Sequence, residues 1–194
     1  MKKWFSLAIG ILCAVLLAAC DSAKPQFKAV DITGANYAQG FTLTDFEGQT
    51  RSLSDFKGKV VVLFFGYTQC PDVCPTTLSE LVQAKHLLGA NGDKLQGVFV
   101  TLDPERDTAS LLKSYVTNFD PSFVAFVPTV DQLPALTKDF KLYYKKVEGK
   151  TPTSYTLDHT AASYVYDTQG NLRLFVRYGS GAQALAQDVA QLLK

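Results

Sequence analysis

Two cysteines set four residues apart, Cys70 and Cys74, stand in the run Phe65-Gly66-Tyr67-Thr68-Gln69-Cys70-Pro71-Asp72-Val73-Cys74-Pro75. Positions i and i+4 face the same side if the segment makes a helical turn, and a place just before a helix gives each sulfur nearby backbone N–H groups and the positive end of the helix dipole. Both effects lower a thiol pKa. Such a pair can attack a disulfide or bind a soft metal ion, and each chemistry requires thiolate. A structural disulfide across the turn is the plain alternative, and so short a loop would constrain the unfolded chain only weakly.

The remaining chemistry-bearing residues are scattered. The sequence has two histidines, His86 and His159. His86 falls on the surface of a predicted helix and reads as solvated. His159 lies 159 − 74 = 85 residues past the second cysteine, so spacing alone cannot bring it to the sulfurs. Taken by itself it reads as a loop residue capping the start of a strand. Asp103 precedes Pro104 and Glu105, which predicts a helix N-cap with proline at the first helical position, and Arg106 can pair with either Asp103 or Asp107. Asp158 adjoins His159 and could orient its ring, although neighbouring residues need not point together.

These side chains need a scaffold, and the apolar pattern predicts one. Phe41, Leu43 and Phe46, then Arg51 to Leu53, suggest a hairpin around Glu47-Gly48, followed by a one-turn connection to Gly58. Val60 to Phe65 is an uninterrupted β-branched and aromatic run, suited to a central strand covered on both faces. A helix follows over 76–88, with Pro75 suited to its first turn. Strands at 95–102, 123–127, 143–147, 162–166 and 172–178 alternate with helices at 108–118, 132–139 and 182–193. The order predicts an α/β fold with a mixed central sheet flanked by helices and an N-terminal hairpin, which is a thioredoxin-like arrangement.

Of 194 residues, 47% are hydrophobic and 19% charged, with 19 Lys+Arg against 18 Asp+Glu. One ordinary globular domain fits that length, and a formal charge of +1 supplies no basic field for nucleic acid. Lys2 and Lys3 followed by the apolar run from Trp4 to Leu17 read as an export signal over residues 1–19. Leu17-Ala18-Ala19-Cys20 resembles the lipobox of bacterial lipoproteins, which implies cleavage before Cys20 and its acylation. The rival reading is an uncleaved transmembrane anchor. Either reading places the domain outside the cytoplasm. Residues 20–38 then form a lipidated N-terminus and tether, with the domain over 39–194. Asp21 after the lipidated cysteine resembles a retention signal for the periplasmic side of the inner membrane. Cys13 would leave with the signal, so Cys70 and Cys74 remain as the free thiols in a compartment where disulfides persist.

The cysteine segment resembles the copper-site motif of the Sco/SenC family, extracytoplasmic copper proteins used in assembling cytochrome c oxidase. Val100-Thr101-Leu102-Asp103-Pro104-Glu105-Arg106-Asp107-Thr108 is similar to the family's acidic loop, and Asp158-His159-Thr160 to its histidine segment. The resemblance implies one copper per chain held by Cys70, Cys74 and His159, and a supporting or docking role for Asp103 and Asp107. It implies as partner a copper-site subunit of a respiratory oxidase or another copper chaperone. Gln69 departs from the many members that carry His there, with no ligand expected to be lost. Two thiolates and an imidazole suit Cu(I), and Cu(II) accepts the same donors, whereas a closed zinc site lacks its fourth strong ligand.

Two other functions use the same cysteines. A thiol-disulfide reductase would treat them as a redox-active pair that keeps another protein's copper-ligand cysteines reduced or protects against oxidative stress, although three residues separate them where thioredoxins have two. A thiol peroxidase needs Thr or Ser three residues before its reactive cysteine and Pro four before that; Tyr67 and Leu63 stand there instead.

Overall fold

The computed structural model describes residues 25–151 and 154–194. Its strands are β1 (Val30–Asp31), β2 (Thr42–Thr44), β3 (Thr50–Ser52), β4 (Val60–Gly66), β5 (Leu95–Thr101), β6 (Val124–Phe126), β7 (Tyr144–Val147), β8 (Thr156–His159), β9 (Ala162–Tyr166) and β10 (Leu172–Arg177). The α-helices are α1 (Val73–Leu87), α2 (Ala109–Thr117), α3 (Leu133–Asp139) and α4 (Ala182–Leu192). Six strands form one mixed sheet in the order β1-β10-β9-β4-β5-β6, and two hairpins, β2-β3 and β7-β8, stand outside it.

Every residue of β4 is buried, because the strand lies inside the sheet and both its faces are covered. Val61, Leu63 and Phe65 point into a core shared with Phe126, Phe140 and Tyr164. Val60, Val62 and Phe64 point the other way, into a second core beneath α1, α2 and α4.

 Two cores on opposite faces of one sheet make the layered arrangement that the pattern of strands and helices predicts.

Three boundaries differ from expectation. Helix α1 opens at Val73 rather than near Thr76, which takes Cys74 into its first turn. Pro75 is tolerated as the third helical residue because the first N–H groups of a helix have no partner within it. Helix α2 is capped by Thr108, whose Oγ1 accepts from the Leu111 N–H at 3.2 Å. Asp103 is not an N-cap: residues 104–106 make only a turn, with the Arg106 and Asp107 N–H groups both donating to the Asp103 carbonyl. Finally, His159 ends a strand, β8, that the sequence pattern does not announce.

The segment expected as a tether packs on the fold over its described part. Asp188 of α4, 1% exposed, accepts the backbone N–H groups of Lys28 and Ala29 at 2.7 and 2.8 Å. β1 then pairs with β10, and Ala38 is fully buried with its carbonyl accepting the Tyr166 hydroxyl at 2.8 Å. Cys20 and the expected signal lie outside the described residues. Among the described residues no helix is long and apolar enough to cross a membrane.

Candidate metal centre

Sheet topology explains how His159 crosses the 85 residues that separate it from Cys74. β4 and β5 run parallel with Gly66 opposite Thr101, so the loops that follow them leave the sheet at the same end. β9 runs antiparallel to β4 with Ser163 opposite Phe64, so the start of β9 lies at that same end. The cysteine loop follows β4, the acidic loop follows β5, and His159 lies three residues before β9. One edge of the sheet therefore gathers all three segments.

One donor atom from each of Cys70, Cys74 and His159 lies within 4.8 Å of the others. Both cysteines are free thiols. Cys74 is fully buried and Cys70 is half-buried, on the wall of an open cleft of about 380 Å³ lined by Tyr67, Pro71, Asp72, Leu157 and His159 among others. Gly66 makes room for the buried sulfur: a Cβ at that position would lie 2.5 Å from Cys74 Sγ and 3.1 Å from the Phe99 ring. The expected helical turn is absent between the cysteines, since residues 70–72 form a loop that leads into α1.

The two sulfurs are unequal. Cys70 is pulled down to about 3, first by the hydrogen bond from the Cys74 thiol, against its partial burial, and then by His159 and the backbone N–H groups of Cys74 and Asp72. Cys74 is pushed up by the same hydrogen bond with Cys70 and by burial. The reduced pair thus carries one thiolate and one thiol that share a proton, with the charge on the accessible sulfur. The His159 ring has Nδ1 3.1 Å from the Thr160 carbonyl oxygen. A carbonyl only accepts, so this contact places a proton on Nδ1 and leaves the Nε2 lone pair for a ligand. Asp158, expected as a partner for His159, is exposed on β8, and among the described residues no hydrogen bond joins it to the ring. The alternation of a strand explains this, because adjacent side chains point to opposite faces.

The acidic loop works behind the site. Asp107 is fully buried; its carboxylate accepts the Thr68 N–H at 3.0 Å, the Thr68 hydroxyl at 2.6 Å and the Thr101 hydroxyl at 2.6 Å. Burial raises its pKa against these three bonds. Asp103, also buried, accepts the Tyr155 hydroxyl at 2.6 Å and pairs with Arg106, which donates as well to Gln69 Oε1 and to the Tyr155 carbonyl. Of the two carboxylates open to Arg106, the ion pair forms with Asp103. His86 lies far along α1, in its last turn. Sequence reasoning missed Tyr67, Thr68 and Tyr155, which carry no motif of their own. Tyr67, 2% exposed, meets the His159 ring edge-on with centroids 6.2 Å apart.

Against known proteins, the SCO1/SenC family model matches residues 30–194. The chain belongs to the SCO1/SenC family. A SCO2-like protein of Rickettsia felis is 34% identical over 169 residues, covering 85% of this chain and 82% of the relative. The structure of Bradyrhizobium japonicum ScoI with copper bound superposes with a TM-score of 0.71 at 35% identity, over 79% of this chain and 98% of that one. The solution structure of apo Sco1 from Thermus thermophilus gives 0.76 at 32% identity, over 89% of this chain and 100% of that one. The thioredoxin-like fold expected from the strand and helix order is thus that of SCO1/SenC proteins. The donor set of this member, two sulfurs and an imidazole converging beside an open cleft, is chemically fitted to a soft metal ion of low coordination number.

Proposed function

We propose that this SCO1/SenC protein binds one copper ion through Cys70, Cys74 and His159 and delivers it during assembly of a respiratory cytochrome c oxidase. The observation that carries the reading is the convergence of one donor atom from each of these residues within 4.8 Å. Similarity to a ScoI whose structure holds copper supports the identity of the metal. Copper is here cargo. Soft sulfur donors retain Cu(I), and the open cleft leaves a face from which an acceptor's own ligands replace them one at a time. The recipient is a copper-site subunit of the oxidase or another copper chaperone. Acylation of Cys20 would hold the domain on the periplasmic side of the bacterial inner membrane, a reading supported by the lipobox-like Leu17-Ala18-Ala19-Cys20.

A second activity is favoured by the asymmetry of the sulfurs. The accessible Cys70 thiolate can attack a disulfide of a partner, forming a mixed disulfide and expelling one partner thiolate. Cys74 then attacks Cys70 Sγ, its proton passing to the departing sulfur. Two electrons move to the partner, which leaves with one thiol and one thiolate, the latter taking a proton from solvent, and the chain is left with a Cys70–Cys74 disulfide.

Because a disulfide offers no thiolate, copper loading and oxidation exclude each other. Copper titration of the reduced domain should give about one equivalent per chain, and the oxidised domain close to none. His159→Ala should weaken Cu(II) binding strongly while His86→Ala leaves it unchanged. Full copper binding by the disulfide form would remove the cysteines from the ligand set and leave the reductase reading ahead.

A further inference from the structure

The hairpin that carries His159 stands outside the six-stranded sheet, so β9 anchors the chain on the far side of His159 while the β8 side needs a tie of its own. Beside the Tyr67 contact with His159, one guanidinium joins the start of β8 to the cysteine loop. Arg106 Nη1 donates to Gln69 Oε1 at 3.1 Å, on the residue next to Cys70, and to the Tyr155 carbonyl at 2.9 Å, on the residue before β8. Arg106 Nε donates to Asp103, whose other oxygen accepts the Tyr155 hydroxyl. The guanidinium carbon also lies over the Tyr155 ring, 3.5 Å from its centroid, and 5.8 Å from that of Tyr67, the ring that meets His159. A planar fork with five donors is the side chain able to make these contacts at once, and lysine cannot replace it.

We propose that Arg106 is a positioning residue for the metal centre: it clasps the start of β8 to the cysteine loop and so holds His159 within reach of the two sulfurs. The inference rests on the proposed Cys70, Cys74 and His159 copper site. Both cysteines belong to the β4–α1 segment and meet without help from the β7–β8 hairpin, whereas His159 is the last residue of β8, held by β9 on one side and by that hairpin on the other. Loosening the clasp should therefore cost the imidazole and spare the sulfurs.

Arg106→Lys, which keeps the charge and loses the fork, tests this. Relative to the unsubstituted protein it should lower Cu(II) affinity about tenfold or more, the usual size of effect for groups that orient a metal ligand, and change the Cu(II) absorption spectrum, while Cu(I) affinity on the thiolates stays within about threefold. In a His159→Ala background the same substitution should have no further effect on Cu(II) affinity. Hydrogen exchange on the metal-free protein supplies a readout independent of copper: amides of β7 and β8 should exchange faster in Arg106→Lys, with β4 and β5 unchanged. Gln69→Ala, which cuts one arm of the clasp, should shift both measurements in the same direction and decides the matter if Arg106→Lys does not fold. Equal losses with and without His159, or unchanged Cu(II) binding and exchange, would overturn the clasp. Failure of the unsubstituted protein to bind copper would instead overturn the copper site itself.

Discussion

Among single residues, the two cysteines divide the chemistry unequally, and the division has a steric cause. Gly66 lets the Cys74 sulfur sink against the end of β4 and the Phe99 ring, while Cys70 stays at the cleft. The charge follows exposure: with Cys70 held at about 3, the reduced metal-free protein presents its thiolate across the whole neutral range. A depressed pKa means that the thiolate fraction has already saturated well below neutrality. Alkylation of Cys70 by iodoacetamide should accordingly proceed at a nearly constant rate from about pH 5 to about pH 8, where an ordinary thiol would gain close to tenfold per unit. Cys74, buried and pushed in the other direction, should remain unmodified in the folded protein. Peptide mapping by mass spectrometry across that range checks both statements. A tenfold rise per unit at Cys70 would show that no preformed thiolate exists.

At the level of elements, the site is the meeting of three connections at one edge of a sheet, and Asp107 locks two of them together. Its carboxylate ties Thr68, two residues before Cys70, to Thr101 at the end of β5. Asp107→Ala strands buried donors on both connections and should cost about 3 kcal/mol of stability in denaturant titration, with looser copper binding from the displaced cysteine loop. A stability change under about 0.5 kcal/mol, the size of an ordinary surface substitution, would deny it this role. The same elements show what a sequence makes legible. β4 was readable because seven consecutive buried residues leave no solvent face to confuse the pattern. The cysteine pair was readable because its geometry is local. β8 was not, being four residues with one buried side chain, and neither was the arrival of His159, which depends on the antiparallel register of β9 on β4. Family resemblance supplied that residue; no local rule could. Asp103 misled in another way, since Asp-Pro-Glu has the composition of a helix start, yet its side chain is committed to Tyr155 and Arg106.

For the molecule as a whole, the first described residues and the Cys70, Cys74 and His159 cluster lie at opposite ends of the sheet. β10 is antiparallel to β9, and β9 to β4, so β10 runs parallel to β4 and ends beside the site; Tyr178, just past it, reaches Asp72 at 3.5 Å. α4 starts from that end and runs away from it, and Gln191 near its far end donates to the Gln26 carbonyl. The chain therefore enters at the end remote from Cys70, climbs along α4, and is fixed midway by the Asp188 carboxylate. If Cys20 is the acylated residue, four residues separate it from Pro25, a reach of at most about 18 Å over five residue steps. So short a link would keep the entry end near the bilayer, with the cleft at the other end of the sheet. The geometry depends on Asp188 keeping the arm down. Asp188→Ala removes the acceptor of two backbone N–H groups and should cost about 2 kcal/mol in stability. It should also open the arm to limited proteolysis around residues 26–30, while the sheet core stays resistant and copper stoichiometry of the reduced domain is unchanged. Cleavage there at the rate of the unsubstituted protein would show that the pairing of β1 with β10 suffices to hold the arm without Asp188.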